Sequence, residues 1–182
     1  MTDPAPPNLV TGGVNSPLRR PTSSSVKTGP VRRVVILGRG GAGKSVLARR
    51  LGQDRGLPVV ELDKEFWNDR LEPLPIEEWR ERQRVLAASP AWILDGDLGP
   101  YDDLEPRLRR ADAVVVLDLP LWVCVWRALR RGRERIDFWR WVLRWRRDSR
   151  PLLMAAIARW APAADVVVLR SRRAVTRWLD RR

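Results

Sequence analysis

The sequence predicts an α/β protein built on a parallel β-sheet. Apolar runs of about four or five residues, rich in Val, Ile and Leu, alternate along the chain with longer segments of helical character. This alternation is typical of parallel sheets with right-handed crossovers. The runs are apolar throughout instead of at every second residue, as expected for strands that are buried on both faces. The first run leads into a glycine-rich loop and then a helix, so the predicted fold carries a candidate site.

The first half of the chain supplies two predicted strands and two predicted helices. The first strand covers residues 34–37, and the helix after its loop should end at Gly56, because a glycine followed by a nearby proline stops a helix. A short second strand is predicted at 59–62. Residues 75–88 are predicted to form a helix, since a proline and two glutamates stand in its first turn.

The second half continues the same alternation. Its most apolar run, at 113–117, is rich in valine, which is typical of a buried parallel strand. The predicted strands here are 91–94, 113–117 and 165–169, and the predicted helices are 102–110, 121–132, 136–159 and 173–179.

Length and composition predict one domain with a tail. The chain has 182 residues, of which 44% are hydrophobic, and this is enough for the core of one domain. Residues 1–29 are rich in Pro, Ser, Thr and Gly and poor in large apolar side chains, so we expect them to form a flexible N-terminal tail. The domain is then expected to occupy residues 30–182.

The loop after the first strand matches the pattern G-x-x-x-x-G-K-[ST], which is the P-loop that binds nucleotide phosphates. Its glycines let several backbone N–H groups converge on a phosphate, and the following helix adds its positive dipole end. Lys44 is expected to reach the β- and γ-phosphates of ATP, and the Ser45 hydroxyl to ligate Mg²⁺. The long cation of Arg39 either adds to the phosphate field or points to solvent. The predicted nucleotide-binding residues are Gly38, Arg39, Gly40, Gly41, Ala42, Gly43, Lys44, Ser45 and Val46.

Two aspartates follow predicted strands, at the edge where parallel sheets bind ligands. Asp95 ends the strand at 91–94 and is a candidate Mg²⁺ ligand of the Walker-B type. Asp63 is a candidate catalytic residue that orients or deprotonates an acceptor hydroxyl, because the chain has no histidine and a general base must then be a carboxylate. Each aspartate could instead be an ordinary turn or loop residue.

Arg127 and Arg131 are the candidate catalytic arginines. They lie four residues apart on a predicted helix, so they share a face. The planar guanidinium suits the oxygens of a triphosphate, and we expect the pair to close on the nucleotide. A solvated helix face is the alternative for both. A helical lid is predicted at about residues 127–150.

The segment at 136–150 mixes aromatic residues with arginines. At helical spacing its apolar residues form one stripe and its arginines lie on the opposite side, which is typical of a lid helix packed on the core. Such a mixture could also stack on and pair with a nucleic acid, or lie on an anionic membrane. The stripe is Phe138, Trp141, Val142 and Trp145, and the opposite side is Arg140, Arg144 and Arg147.

Charge and composition narrow the classes of function. Thirty-five basic against 22 acidic residues give a net charge of +13, which suits an anionic partner. The absence of histidine excludes histidine triads and histidine metal sites. The single cysteine, Cys124, lies in an apolar run and is expected to be a buried thiol. With no apolar run near about 18 residues and no secretory signal, we expect a cytoplasmic protein without a membrane span.

Five stretches together resemble the small P-loop proteins related to adenylate kinase and, more narrowly, those called DNA topology modulation proteins. The stretches are the P-loop, Leu62-Asp63 with Phe66-Trp67, Trp92-Ile93-Leu94-Asp95-Gly96, Leu117-Asp118-Leu119-Pro120 and Val167-Val168-Leu169-Arg170-Ser171. The resemblance implies a three-layer nucleotide-kinase-like P-loop NTPase fold, with a five-stranded parallel sheet in the order 2-3-1-4-5. It also implies ATP with Mg²⁺, and lid arginines that match Arg127 and Arg131 in spacing.

One stretch departs from the patterns of the resembling proteins. Such proteins commonly have Asp-Gly-Asn-Tyr, and adenylate kinases have Asp-Gly-Phe-Pro-Arg, where this chain has Asp95-Gly96-Asp97-Leu98. The Pro-Arg that helps adenylate kinases to hold a nucleoside monophosphate is missing, so the resemblance does not identify the phosphate acceptor. We therefore expect an ATP-dependent kinase with an unidentified small-molecule acceptor. A nucleotide-responsive nucleic-acid-binding regulator that uses residues 136–150, and an ATPase, are the alternatives.

Overall fold

The computed structural model describes residues 31–67, 72–99, 102–132 and 136–181, and the tail predicted at 1–29 lies outside this part of the chain. Within it, five parallel strands form a sheet in the order β2-β3-β1-β4-β5. The parallel α/β fold class and the strand order are therefore confirmed. The strands are β1 Arg33–Gly38, β2 Val59–Glu61, β3 Trp92–Asp95, β4 Ala113–Leu117 and β5 Asp165–Leu169.

Helices connect the strands and cover the sheet. None of those described is long and apolar enough to cross a bilayer. In chain order they are α1 Lys44–Arg55, α2 Leu62–Phe66, α3 Ile76–Ala88, α4 Glu105–Leu108, α5 Leu121–Arg131, α6 Ile136–Arg144, α7 Ser149–Trp160 and α8 Arg172–Leu179.

Two hydrophobic clusters lie on opposite faces of the sheet. Along β1, Val35 and Leu37 belong to one cluster, and Val34 and Ile36 belong to the other. All four are at most 2% exposed. Because successive side chains of a strand point to opposite faces, this division means that both faces are covered and that the domain has three layers. It explains why the strands are apolar throughout instead of alternating.

The strand register brings β3, which ends in the candidate Mg²⁺ ligand Asp95, beside β1, which leads into the P-loop. Asp95, the last residue of β3, is level with Ile36 of β1 on one side and with Glu61 of β2 on the other. On the far side of β1, Gly38 pairs with Leu117 of β4. The carboxyl ends of β1, β3 and β4 therefore meet at one edge of the sheet, where the P-loop begins.

The strand predicted at 59–62 ends one residue early. Leu62 starts the short helix α2, which buries Leu62 and Phe66 at 0% and 1% exposure. Residues four apart share a helix face, so this spacing allows both side chains to enter the core. Asp63 consequently lies in the first turn of α2 and not at the end of a strand.

The single helix predicted at 136–159 is wrong, because the chain turns at residues 145–148 and forms α6 and α7. Pro151 gives a physical reason. Proline has no N–H to donate back one turn, so it is tolerated in the first turn of α7 but breaks a continuous helix. The segment at 136–150 therefore comprises α6, a turn and the first residues of α7, and the lid predicted at about 127–150 also includes the end of α5.

Candidate active site

The glycine loop leaves no room for side chains at its centre. Gly41 and Gly43 have positive φ angles of 77° and 93°, a region that favours glycine. A Cβ atom at Gly41 would lie 2.2 Å from the carbonyl oxygen of Cys124 on α5. Helix α1 begins at Lys44, directly after Gly43, and its first turn contains no acidic residue. Its N–H groups and dipole are therefore oriented to receive an anion.

Lys44 lies along the inside of this loop. Its ammonium donates to the carbonyl oxygen of Gly38 at 2.9 Å and approaches that of Arg39 at 3.5 Å. These contacts hold the ammonium group of Lys44 at the mouth of the loop, where the P-loop motif predicts that the phosphates bind.

Asp95 lies next to the beginning of α1 and is 3% exposed. Burial raises the pKa of Asp95, whereas a hydrogen bond with Ser45 and the charge of Lys44 lower it, and the nearby carboxylates of Asp63 and Glu61 raise it again. Within the described residues, its Oδ1 atom is buried and has no hydrogen-bond partner. The structure thus brings together Lys44, Ser45, Asp95 and Asp63, which belong to three separate stretches of the sequence.

These groups fit a magnesium ion. Mg²⁺ prefers oxygen ligands and usually takes only one or two from the protein, with phosphate oxygens and waters completing its shell. The Ser45 hydroxyl next to Asp95, together with the Oδ1 atom of Asp95, which has no partner in the part of the chain that the structure describes, provides such a set of oxygens.

Arg127 supports the loop from α5. Its Nη1 atom donates to the carbonyl oxygen of Ala42 at 2.9 Å, and the same nitrogen would lie 3.0 Å from a Cβ atom at Gly43. Arg131 is the last residue of α5, but its side chain lies outside the described part. Whether the two arginines close on a nucleotide together, as the sequence suggests, stays a prediction.

Arg39 does not point to solvent. Its side chain is 1% exposed, and its guanidinium carbon lies 5.4 Å from the ring centre of Trp145. Burial lowers the pKa of Arg39 from its usual value. The first variable position of the P-loop thus places a cation against the segment that follows α6.

Helix α6 closes over the loop with the aromatic stripe that the sequence predicts. Val142 and Trp145 are fully buried, and Phe138 and Trp141 are partly buried. A Cβ atom at Gly40 would lie 2.5 Å from the Phe138 ring. The arginines of the opposite side, Arg140, Arg144 and Arg147, are exposed.

The loop after β3 contains one functional candidate, Asp97, that no sequence motif indicates. Asp97 is 8% exposed, accepts a hydrogen bond from the Trp145 indole at 3.1 Å, and lines the same cleft of about 1880 Å³ as Lys44 and Asp63. One hint is present in the sequence, because Asp97 occupies a position at which the resembling proteins commonly have asparagine.

A buried ion pair anchors this loop. Arg107 donates to Asp102 at 2.5 Å, and their side chains are 0% and 2% exposed. Arg107 also donates a hydrogen bond to the side-chain oxygen of Gln83 on α3, and its Nη2 atom lies 3.4 Å from the carbonyl oxygen of Gly96. No sequence signal separates this arginine from the many that lie on the surface.

Asp118, just after β4, anchors the segment that follows α6. It is 4% exposed and accepts hydrogen bonds from Arg146 at 2.8 Å and Arg150 at 3.1 Å. The stretch Leu117-Asp118-Leu119-Pro120 is one of those that carry the family resemblance, but the resemblance implies no role for Asp118.

Comparison with known proteins supports the fold. Neither a family model nor a curated protein sequence matches the chain, so the narrower resemblance to DNA topology modulation proteins stays a prediction. Among solved structures, a shikimate kinase from Bacteroides thetaiotaomicron is 15% identical, with a TM-score of 0.52 over 84% of this chain and 96% of that chain. A shikimate kinase from Acinetobacter baumannii in complex with shikimate is 18% identical, with a TM-score of 0.52 over 83% and 90%. At these identities the likeness shows a P-loop kinase fold.

Proposed function

We propose that the protein is an ATP-dependent phosphotransferase that moves the γ-phosphate of ATP to a hydroxyl group of a small molecule. One observation carries the proposal: Asp95 is buried next to Ser45, Lys44 and the start of α1, and its Oδ1 atom has no hydrogen-bond partner among the described residues. A lysine, a hydroxyl and a carboxylate in this arrangement are the parts that position a triphosphate and its metal.

The chain's own residues have distinct roles in the proposed reaction. Lys44 and the N–H groups of the loop hold the β- and γ-phosphates, while Arg127 keeps the loop in shape through the Ala42 carbonyl. Mg²⁺, when bound, neutralises the charge of the phosphate oxygens. Ser45 and Asp95 are the residues that would hold it, directly or through water.

The acceptor approaches from the side of Asp63. This carboxylate is close enough to Asp95 to affect its pKa, and it lines the cleft with Lys44. The acceptor oxygen forms a bond to the γ-phosphorus while the bond between that phosphorus and the β,γ-bridging oxygen breaks. ADP leaves with the electron pair, and the hydroxyl proton passes to Asp63.

The decisive experiment is ATP binding to matched lysine variants in the presence of Mg²⁺. Lys44→Ala should weaken ATP binding at least about tenfold, because it removes a charge-assisted contact to phosphate. Lys64→Ala is the control, since Lys64 is exposed and pairs with Glu61 at 3.2 Å. Equal ATP affinity of the wild type and Lys44→Ala would refute the proposed nucleotide site.

Transfer is measured next, with ATP labelled in its γ-phosphate and a panel of hydroxyl compounds. Label that appears in an acceptor supports the kinase, whereas label released only as phosphate supports the alternative of an ATPase. The nucleic-acid alternative gains no support from the structure, because Val142 and Trp145 of the aromatic stripe are buried and have no face open to a base.

A further inference from the structure

We propose that α5 seats the protein on the surface of an anionic lipid bilayer. The contact is made by three large apolar side chains of this helix, Trp122, Trp126 and Leu129, which we term the α5 stripe. This docking is separate from the proposed kinase activity and does not depend on it. It uses the face of α5 that makes none of the described contacts with the P-loop.

The α5 stripe is exposed although large apolar side chains usually lie inside proteins. Trp122, Trp126 and Leu129 are 74%, 53% and 61% exposed. An α-helix turns by about 100° per residue, so spacings of four and seven residues place all three within about 60° of one another. A single exposed apolar residue is ordinary, but a contiguous apolar face is typical of a surface that binds a partner.

The opposite face of α5 holds the P-loop. Cys124 is fully buried, and its carbonyl oxygen leaves no room for a Cβ atom at Gly41. Arg127 donates to the Ala42 carbonyl oxygen at 2.9 Å. This packing orients α5 on the domain and leaves the α5 stripe on the outside. A bilayer can therefore receive the stripe at the level of its headgroups while the P-loop contacts stay intact.

The surroundings of the α5 stripe are basic. Residues 119–133 include four arginines and neither an aspartate nor a glutamate. Arg130 is exposed, and its guanidinium carbon lies 4.2 Å from the centre of the Trp126 ring. In the described part of the chain Arg130 forms no ion pair, so its charge is available to an anionic surface. Each such cation strengthens the attraction to an anionic membrane roughly fivefold.

An anionic lipid surface matches this combination of groups better than other partners do. Tryptophan is enriched where membranes meet water, because its ring is apolar and its N–H is polar. Arginine can keep its charge among the headgroups while its aliphatic stem lies on apolar groups. Arg130 and Trp126 are arranged in this way already in the free protein.

Two other partners fit less well. A second copy of the chain would bring two basic surfaces together, each on a protein of net charge +13. A nucleic acid offers negative charge, but Leu129 has no ring to stack on a base, and Arg130 already occupies one face of the Trp126 ring.

The test is vesicle binding by the full-length chain, measured by co-sedimentation. One set of vesicles contains phosphatidylcholine alone, and the other contains equal amounts of phosphatidylcholine and phosphatidylglycerol. The wild type should bind the anionic vesicles at least about tenfold more tightly, and this advantage should fall as salt is added, because salt screens the charges. Lipids with brominated acyl chains should quench part of the tryptophan fluorescence, since the α5 stripe reaches the acyl boundary.

A pair of double variants connects the binding to the α5 stripe. Trp122→Ala with Trp126→Ala should weaken binding to anionic vesicles at least about tenfold, because two large apolar side chains leave the interface. Ile76→Ala with Val85→Ala is the control and should change binding less than about twofold. These two residues are 48% and 59% exposed on α3, which packs on the opposite face of the sheet from α5.

A pair of single variants tests the charge. Arg130→Gln should weaken binding to anionic vesicles about three- to fivefold, because it removes one cation beside the α5 stripe. Arg84→Gln should weaken it less than about twofold, since Arg84 lies on α3 and is paired with Glu81 at 2.9 Å.

Three results would overturn the proposal. The first is a wild type that does not bind anionic vesicles, and the second is a double tryptophan variant that binds them as tightly as the wild type. The third is a mass of two chains in light scattering that falls to one in the tryptophan variant, because the α5 stripe would then bind a second copy. The vesicle preference and the quenching of the wild type decide the question even if a variant folds poorly.

Discussion

Replacing Asp95 by asparagine should stabilise the ligand-free protein and remove its response to Mg²⁺ and ATP. In the folded chain the carboxylate is 3% exposed, one of its oxygens has no partner within the described residues, and Asp63 and Glu61 add negative charge nearby. A buried oxygen without a hydrogen bond costs about 1–3 kcal/mol. Asparagine removes the charge and can still accept the hydrogen bond of Ser45.

The pH dependence of this effect follows from the raised pKa of Asp95. An acid whose pKa is raised by folding favours the folded state when it is protonated. The stability that protonation gives is complete below the unfolded value of 3.8 and is lost as the pH rises through the folded pKa. Near neutral pH, Asp95→Asn should therefore be more stable than the wild type by about 1–3 kcal/mol, and its melting temperature higher by about 2–10 °C. The difference should shrink as the pH falls.

Thermal unfolding of the two proteins, with and without Mg²⁺ and ATP, measures both effects. ATP at about 100 times its dissociation constant should stabilise the wild type by about 2.7 kcal/mol, and the variant much less. Asp54→Asn is the control, because Asp54 lies on the exposed side of α1 with 55% of its side chain accessible, and a surface change of this kind should stay within about 0.5 kcal/mol. An Asp95→Asn protein that is less stable than the wild type at pH 7, or that responds fully to Mg²⁺ and ATP, would refute the reasoning.

Two further substitutions test the P-loop itself. Gly41→Ala should destabilise the protein by more than about 2 kcal/mol in urea unfolding, because the new Cβ atom would lie 2.2 Å from the Cys124 carbonyl oxygen at a φ of 77°. Arg127→Ala should weaken ATP binding roughly tenfold in calorimetry, because the Ala42 carbonyl loses a hydrogen bond from a charged group, which is worth about 1.5–3 kcal/mol.

Matched controls separate these effects from general damage. Gly56 also has a positive φ, 62°, but a Cβ atom there meets nothing within 4 Å, so Gly56→Ala should cost only about 1 kcal/mol. Arg130, three residues after Arg127, lies over the exposed Trp126 ring at 4.2 Å, and Arg130→Ala should leave ATP affinity unchanged. Similar losses in the control and test variants would mean that the loop contacts are not responsible.

The fold could be predicted because its signals are local. Each strand that is buried on both faces appears in the sequence as a continuous apolar run. The run at 34–37 directly precedes the glycine-rich loop, so it also locates the P-loop at the end of the first strand. Asp95 could be selected because it is the residue at which such a run stops. The strand order is not local, and only the family resemblance implied it correctly.

The surroundings of Asp97 could not be predicted because they depend on contacts between residues that are distant in the sequence. Asp97 is one aspartate in a polar loop, and its importance comes from a hydrogen bond with Trp145, 48 residues away. Arg107 reads as a surface residue, yet it is buried against Asp102 and Gln83. In a chain with 35 basic residues, composition cannot indicate which arginines are structural.

Trp145 joins the two halves of the site. Its ring lies under Arg39 of the P-loop, and its indole N–H donates to Asp97 in the loop after β3. The neighbouring Arg146 is tied to Asp118 at the end of β4, which fixes this turn to the sheet. Because one buried side chain contacts both the P-loop and the loop after β3, a displacement of the segment after α6 would disturb both loops together. An arginine at position 39 therefore has a structural reason: it packs on Trp145, the residue that connects the P-loop with the loop after β3.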